Sequence, residues 1–142
     1  MSISLFNVFY SSTGICTDTR AIKKGSLFIC IKGEKFDGNT FASIAIADGA
    51  SHVILDNKEH FVNDGKMTLV EDSVIYLQGL AHFHRQKFDI PVIGITGSNG
   101  KTTSKELINA VLSENHNVLA TIGNLNNHLG VPLTLLQLNE EY

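Results

Sequence analysis

A short apolar run leading into a glycine-rich turn is the feature that most constrains the fold of this chain. Residues 91–93 are followed by Gly-Ile-Thr-Gly-Ser-Asn-Gly-Lys-Thr-Thr at positions 94–103. We expect a buried strand to end at this turn and a helix to begin at Lys101. Backbone N–H groups of such a turn point inward, and the helix N-terminus carries a partial positive charge. The segment is therefore typical of loops that hold nucleotide phosphates.

The glycine spacing departs from the common phosphate-loop pattern G-x-x-x-x-G-K-[ST]. Counting back from Gly100, that pattern places its first glycine at Ile95, where this chain has none. Gly97 and Gly100 still permit positive φ and close approach of a phosphate. Lys101 supplies a charge and Thr102 a hydroxyl for Mg²⁺. We interpret the segment as a nucleotide-triphosphate site, and the alternative is a glycine turn with an incidental lysine.

Composition and charge exclude several classes of protein. The chain has 142 residues, 43% hydrophobic and 18% charged, with a net charge of −3. These values indicate a folded protein without a basic surface for nucleic acid. No apolar run has membrane-spanning length, and the N-terminus has no signal-peptide pattern. Cys16 and Cys30 lie outside any metal-ligand spacing, so we expect reduced thiols and a cytoplasmic location.

The first part of the chain predicts short strands alternating with helices. Strands are indicated at 14–17, 27–31, 52–55 and 67–70 by β-branched and aromatic residues. Thr40 is placed to cap a helix with Phe41, Ile44 and Ala45 on its buried face, and Gly49 lies just past its end. Strands that alternate with helices indicate an α/β fold.

A longer helix is predicted to be capped by Asp72 or Ser73 and to end before Pro91. Its apolar positions at helical spacing are Val74, Leu77, Leu80, Ala81, His84 and Phe88. His82 and His84 are two residues apart and do not share a helix face, so no metal site is expected there.

Beyond the phosphate loop, the pattern predicts a second strand and two helices. The helix from Lys101 carries Leu107, Ile108, Val111 and Leu112 on one face. A strand is indicated at 117–121, and Pro132 is expected near the first position of a last helix. Glu140 and Glu141 are expected to be solvated.

The segment 86–91 is the predicted boundary between two domains, at 1–88 and 91–142. The second domain is too short, because a phosphate-loop domain normally has several parallel strands with helices on both faces. It also lacks an acidic residue at the end of a later strand to complete a Mg²⁺ site. We therefore expect the chain to be a fragment of a longer protein.

Three parts of the chain share their pattern with a known family. The first is the loop at 95–103. The second comprises Thr-Asp-Thr-Arg at 17–20, Gly-Ser-Leu-Phe at 25–28 and Lys-Gly-Glu-Lys-Phe-Asp-Gly at 32–38. The third, at 123–136, begins Gly-Asn-Leu-Asn-Asn. Together they resemble the Mur ligases, the ATP-dependent amide-bond ligases of peptidoglycan precursor synthesis. The third part is most similar to the member that adds D-alanyl-D-alanine to UDP-muramoyl-tripeptide.

This resemblance implies a fold and a reaction. The fold is α/β, with a small mixed-sheet UDP-precursor-binding domain at 1–88 and the truncated start of a P-loop ATPase domain at 91–142. ATP, with Mg²⁺, phosphorylates a substrate carboxylate, and the amine of D-alanyl-D-alanine attacks the acyl phosphate. We expect the fragment alone to be inactive and to bind ATP weakly or not at all. Its expected partners are these small molecules, with no nucleic acid and no membrane insertion, and its expected state is a monomer.

The resemblance also assigns residues to the two ligands. For ATP these are Gly97, Ser98, Asn99, Gly100, Lys101, Thr102 and Thr103, with catalytic roles for Lys101 and Thr102 and a Mg²⁺ role for Thr102. For the UDP precursor they are Asp18, Thr19, Arg20, Lys32, Gly33, Phe36, Asp37, Gly38, Asn124, Asn126 and Asn127. Arg20 suits a pyrophosphate because its fork binds two oxygens. Thr19 stands where the family usually has serine, and Asn39 stands where it usually has histidine.

Each assignment has a structural alternative. Asp18 and Arg20 can form a surface pair in a turn, Phe36 can be a core residue, and the asparagines can serve loop geometry. Thr103 can be a helix residue without a ligand. The alternative functions are the related ligase that adds the third peptide residue, a P-loop kinase or NTPase module, and a non-catalytic nucleotide-sugar-binding protein.

Overall fold

The chain divides into two compact units, Met1–Gly79 and Leu80–Tyr142. The computed structural model describes residues 3–34, 36–123 and 125–142. The division falls within a helix, whereas the sequence predicts a boundary at 86–91. The domain limits 1–88 and 91–142 therefore stay a prediction.

The first unit is built on a four-stranded parallel sheet. Its strands, in spatial order, are β1 (Ile15–Cys16), β2 (Leu27–Ile29), β3 (His52–Leu55) and β4 (Met67–Leu69). In the register, Leu27 lies opposite Ile15 and His52. The strands lie where they were predicted, and the α/β class is confirmed. The sheet was expected to be mixed; its four strands are parallel, and antiparallel pairing occurs at the isolated bridge between Lys32 and Asp37.

In the first unit, the helix after β2 packs small side chains in the same core cluster as the sheet. A 3₁₀ turn at Ile3–Phe6 leads into α1 (Asn7–Tyr10), and another at Gly38–Phe41 leads into α2 (Ala42–Ala47). Ala42 and Ala45 of α2 are buried in one cluster with Phe28, Val53 and Leu55.

The predicted buried face of α2 is correct at Ala45 and wrong at two positions. Phe41 is 36% exposed and Ile44 is 49% exposed. The helix begins later than predicted, because Asp37 rather than Thr40 caps the preceding 3₁₀ turn. The face of α2 that packs in the core cluster carries Ala42 and Ala45. Gly49, with φ +106°, lies just past the C-cap Asp48, as expected.

The helix α3 (Ser73–Arg85) follows β4. Of the two predicted caps, Asp72 acts, since its Oδ1 accepts the Ile75 N–H at 2.8 Å. Of the six positions predicted at helical spacing, Leu77, Leu80, Ala81 and His84 are buried, whereas Val74 and Phe88 are half-buried. Tyr76, which the pattern did not select, is also buried. The Tyr76 hydroxyl donates to the Leu5 carbonyl at 2.9 Å. This bond ties the start of α3 to the N-terminal segment.

In the second unit the two predicted helices are present and the two predicted strands are not. The helices are α4 (Lys101–Ser113) and α5 (Gly130–Leu135). Residues 91–95 and 117–121 have no regular structure, although all of them are described. The backbone N–H and C=O groups of a strand need hydrogen-bond partners on a neighbouring strand. In the described part of the second unit, neither segment has a strand beside it. Pro132 is the third residue of α5 rather than the first, still within the turn whose N–H groups have no helical partner.

The apolar face predicted for α4 is largely uncovered in the second unit. Leu107 is 64% exposed and Val111 is 71% exposed. Together with Ile93, Ile108 and Leu112 they line an open apolar groove of about 380 Å³. The predicted helix is therefore present, and its apolar face is largely exposed in the described part of the second unit. Within the described residues, no helix combines the length and apolar character needed to cross a membrane.

Candidate functional site

The first turn of α4 is open toward solvent. Gly100, its N-cap, has φ +77°, and Gly97 has φ +146°. Both values favour glycine, because other residues rarely adopt them. The first helical hydrogen bond runs from the Ser104 N–H to the Gly100 carbonyl at 2.8 Å. The N–H groups of the three residues between them therefore have no partner within the helix.

The side chains around this turn fit a phosphate chain. Lys101 donates from Nζ to the Gly97 carbonyl, which places its ammonium across the loop. Ser98, Asn99, Thr102 and Thr103 are exposed. An uncapped helix N-terminus with an adjacent lysine presents donors and positive charge, the chemistry that binds phosphate oxygens. The exposed hydroxyl of Thr102 is a hard oxygen ligand of the kind that Mg²⁺ prefers.

Lys105 is a residue of this region that the sequence analysis did not select. Its Nζ donates to the carbonyls of Thr121 at 2.5 Å and Gly123 at 3.2 Å. It also forms an ion pair with Glu106 at 2.8 Å, and its side chain is only 15% exposed. Lys105 thus connects α4 to residues 121–123, which precede the asparagine-rich loop at 124–127. In the sequence, Lys105 could have been selected by its position four residues after Lys101, because this spacing places both lysines on one helix face.

The asparagine-rich loop has one residue with a clear structural role. Asn127 Oδ1 accepts the N–H groups of Leu129 at 3.1 Å and Gly130 at 2.7 Å, as a helix N-cap does. Asn126 is exposed, and Asn124 lies outside the described residues. The loop-geometry alternative therefore accounts for Asn127.

Asn127→Ala is expected to destabilise the second unit by about 1 kcal/mol, because two N–H groups at the start of α5 lose their acceptor. Hydrogen exchange at residues 129–131, together with thermal unfolding, measures this effect. Asn126→Ala is the matched control, because Asn126 is exposed in the same loop. Equal exchange rates in the two variants would contradict the capping role.

In the first unit, Asp18 and Arg20 form a closely bonded pair in the turn after β1. Asp18 Oδ1 accepts Arg20 Nε at 2.9 Å, and Oδ2 accepts Nη2 at 2.6 Å. These hydrogen bonds from Arg20 lower the pKa of Asp18 to about 2. The Arg20 side chain is 88% exposed. Asp18 and Arg20 therefore form the surface pair that was the structural alternative for these residues. The same hydrogen bonds hold the guanidinium of Arg20 in one orientation. Thr19, between them, is half-buried.

The loop after β2 carries the other predicted precursor residues. It is closed by the Lys32–Asp37 bridge and by a hydrogen bond from the Gly33 N–H to the Phe36 carbonyl at 2.8 Å. Phe36 is 51% exposed, so it is not a core residue. A Cβ on Gly38 would lie 2.6 Å from the Ile31 carbonyl oxygen, so this position requires glycine.

Because the four strands are parallel, these two loops emerge at the same edge of the sheet. The loop at 18–20 follows the carboxyl end of β1, and the loop at 32–38 follows that of β2. In open α/β sheets, ligands bind outside the carboxyl ends of the strands. Asn39, which follows the second loop, is buried and bonded to neighbouring loops. It is therefore not a ligand-facing residue.

Comparison with known proteins yields matches along most of the chain. The family model "Mur ligase family, catalytic domain" matches residues 11–110, and "Mur ligase middle domain" matches residues 95–142. The UDP-N-acetylmuramoyl-tripeptide--D-alanyl-D-alanine ligase of Synechocystis is 47% identical over 90% of this chain, and that of Bacillus subtilis is 43% identical over 96%. The chain spans only 28% and 31% of these two relatives.

Solved structures give the same result. The MurF ligase of Thermotoga maritima, in complex with ADP, has a TM-score of 0.82 at 35% identity, covering 90% of this chain and 29% of that one. MurF from Acinetobacter baumannii has a TM-score of 0.85 at 32% identity, covering 97% and 33%. A 2,6-diaminopimelate ligase has a TM-score of 0.51 at 26% identity, covering 87% and 28%. Since the catalytic-domain model alone covers more than half of the chain, this protein belongs to the Mur ligase family.

Proposed function

We propose that this chain contributes the precursor-binding domain and the start of the ATP-binding domain of a ligase that joins D-alanyl-D-alanine to UDP-N-acetylmuramoyl-tripeptide. The observation that carries the proposal is the open first turn of α4, with its unpartnered N–H groups and Lys101. It is supported by relatives that bear this ligase name and by a similar structure in complex with ADP. We place the two domains at 1–88 and 91–142.

ATP is the substrate of the second domain. Its phosphates would lie against the turn shaped by Gly97 and Gly100, with Ser98 and Asn99 between them, and against the N–H groups of Lys101, Thr102 and Thr103. Mg²⁺, held by the Thr102 hydroxyl and phosphate oxygens, would supply further positive charge. Among residues 3–34, 36–123 and 125–142, no cluster of three His, Cys, Asp or Glu side chains is found.

The reaction joins two molecules by way of an acyl phosphate. A carboxylate oxygen of the tripeptide attacks the γ-phosphorus, and the bond from that phosphorus to ADP breaks. The amine of D-alanyl-D-alanine then attacks the acyl carbon, and inorganic phosphate and a proton leave. In the first step two anions must approach each other, so catalysis depends on positive charge around the transferred group. Lys101 is the residue that supplies this charge from the chain itself.

The UDP part of the precursor is assigned to the carboxyl edge of the sheet. Arg20, held by Asp18 beside Thr19, can bind two pyrophosphate oxygens through its outward N–H groups. Lys32 and the exposed ring of Phe36, on the loop with Gly33, Asp37 and Gly38, would shape the uridine side. In the second domain Asn126, with the donor and acceptor of its amide, suits a sugar or phosphate contact. Asn124 and Asn127 complete the assigned set.

The alternatives are separated by different observations. Family membership removes an unrelated P-loop kinase. The much lower TM-score of the diaminopimelate ligase favours the D-alanyl-D-alanine ligase over the enzyme that adds the third residue. A non-catalytic nucleotide-sugar-binding protein would share the precursor site and lack turnover. We propose a cytoplasmic enzyme that is a monomer.

Calorimetry on the chain tests the precursor site. We expect heat from UDP and from UDP-muramoyl-tripeptide, and an affinity about tenfold lower for Arg20→Ala, because a charge-assisted hydrogen bond is lost. Lys24→Ala, an exposed cationic position outside the two assigned loops, is the matched control and should bind as the unaltered chain does. Folded protein that gives no heat with either ligand would refute the precursor site.

A further inference from the structure

The side chain of Asn39 is buried and fully hydrogen-bonded. It is 1% exposed. Its Nδ2 donates to Asp37 Oδ1 at 2.7 Å and to Asp56 Oδ1 at 2.8 Å. Its Oδ1 accepts the N–H groups of Asp56 at 3.0 Å and Asn57 at 3.2 Å. A carboxamide has two donor hydrogens and two acceptor lone pairs, so Asn39 has no capacity left for a ligand.

These bonds join segments that follow different strands. Asp37 belongs to the loop after β2, whereas Asp56 and Asn57 directly follow β3. Asp56 Oδ2 also accepts the N–H of Ser73, the first residue of α3, at 3.0 Å. Asn57 in turn caps the 3₁₀ turn Lys58–His60 by accepting the Glu59 N–H at 3.0 Å. One buried amide therefore links the carboxyl ends of two strands and, through Asp56, the start of a helix.

The loop held by Asn39 is the one assigned to the precursor. The Asn39 backbone N–H donates to Asp37 Oδ1 at 2.9 Å, and this bond is the main cause of the lowered pKa of Asp37. Lys32 and His60, which lie near Asp37, lower its pKa further. Lys32 and Asp37 also form the bridge that closes the loop. A shift of Asn39 would move this bridge and the turn Lys58–His60 together.

We propose that Asn39 is a positioning residue for the nucleotide part of the precursor. It holds the 32–38 loop and the turn Lys58–His60 in one arrangement at the carboxyl edge of the sheet, without touching the ligand. This inference rests on the proposed function, which places the precursor at that edge. Because loss of a buried polar network also lowers stability, the test must separate position from stability.

The test compares Asn39→Ala and Asn39→His with Val53→Ala in the same chain. Val53 is fully buried in β3 and belongs to the core cluster, so its truncation lowers stability without touching the network. Histidine has two ring nitrogens and cannot replace all four bonds. Calorimetry with UDP and UDP-muramoyl-tripeptide is done at a temperature where all variants are folded by circular dichroism. Hydrogen exchange is followed at residues 32–40 and 56–60.

We expect both Asn39 variants to bind about tenfold more weakly, comparable to the loss of one good hydrogen bond. We also expect faster exchange in the two loops, with the strand amides unchanged. Val53→Ala should bind like the unaltered chain. If the Asn39 variants matched the unaltered chain in affinity and in loop exchange, the positioning role would be refuted and the proposed function would stand. Lack of binding by the unaltered folded chain would overturn the precursor site and this inference with it.

Discussion

Lys101→Ala is expected to lower ligase turnover by about 10²–10³-fold. The Lys101 ammonium lies across the glycine turn at the open end of α4. Transfer of the γ-phosphoryl group brings two anions together, and catalysis of such a step depends on fixed positive charge. The N–H groups of the helix start remain in the variant, so residual nucleotide binding is expected while the rate falls.

A chimera provides the measurement, because this chain spans 31% of the Bacillus subtilis relative. The chain replaces the matching segment of that ligase, and phosphate release is followed with ATP, UDP-muramoyl-tripeptide and D-alanyl-D-alanine. Lys24→Ala is the control, since Lys24 is an exposed lysine outside the phosphate loop. Comparable rates in K101A and K24A would rule out the catalytic role of Lys101.

Gly38→Ala is expected to destabilise the first unit by about 2–3 kcal/mol and to weaken precursor binding. The added Cβ would lie 2.6 Å from the Ile31 carbonyl oxygen and 2.7 Å from the Ile31 nitrogen. Both are backbone atoms next to β2, so neither can move without shifting the loop. The hydrogen bond from the Gly38 N–H to the Ile31 carbonyl, 3.0 Å long, would also be strained.

Gly33→Ala is the matched control for this prediction. It lies in the same loop, and its Cβ would meet the Phe36 ring at 3.4 Å, an ordinary contact. Urea denaturation should show a loss of less than about 0.5 kcal/mol for Gly33→Ala. If Gly38→Ala and Gly33→Ala had equal urea midpoints, the close contact between position 38 and the Ile31 backbone would not affect stability.

The elements with strong local signals were predicted correctly. The four strands of the first unit and the start of α4 at Lys101 lie where β-branched runs and the glycine turn indicated. Asp72 caps α3, and Gly49 lies just past the end of α2. These signals act within a few residues, through side-chain caps and allowed φ values. They can therefore be read without knowing the fold.

Errors arose where distant residues decide the outcome. Ile44 was predicted to be buried and is exposed, because the sheet accepts the alanine face of α2. The segment 117–121 has strand-forming residues but no partner strand in the described second unit. The contacts of Lys105 with Thr121 and Gly123 span 16 and 18 positions. The local sequence pattern contains no information about contacts between residues so far apart in the chain.

The sequence by itself determined the α/β class, the family resemblance and the glycine turn before α4, because glycines, a lysine and a helix start specify that turn locally. Only the tertiary structure decided that Asn39 is a buried residue whose side chain joins two loops, rather than a residue that contacts the ligand. Its partners Asp56 and Asn57 are 17 and 18 positions away. They meet it because parallel strands bring their carboxyl ends to one edge. A buried amide there has to satisfy all its hydrogen bonds at once.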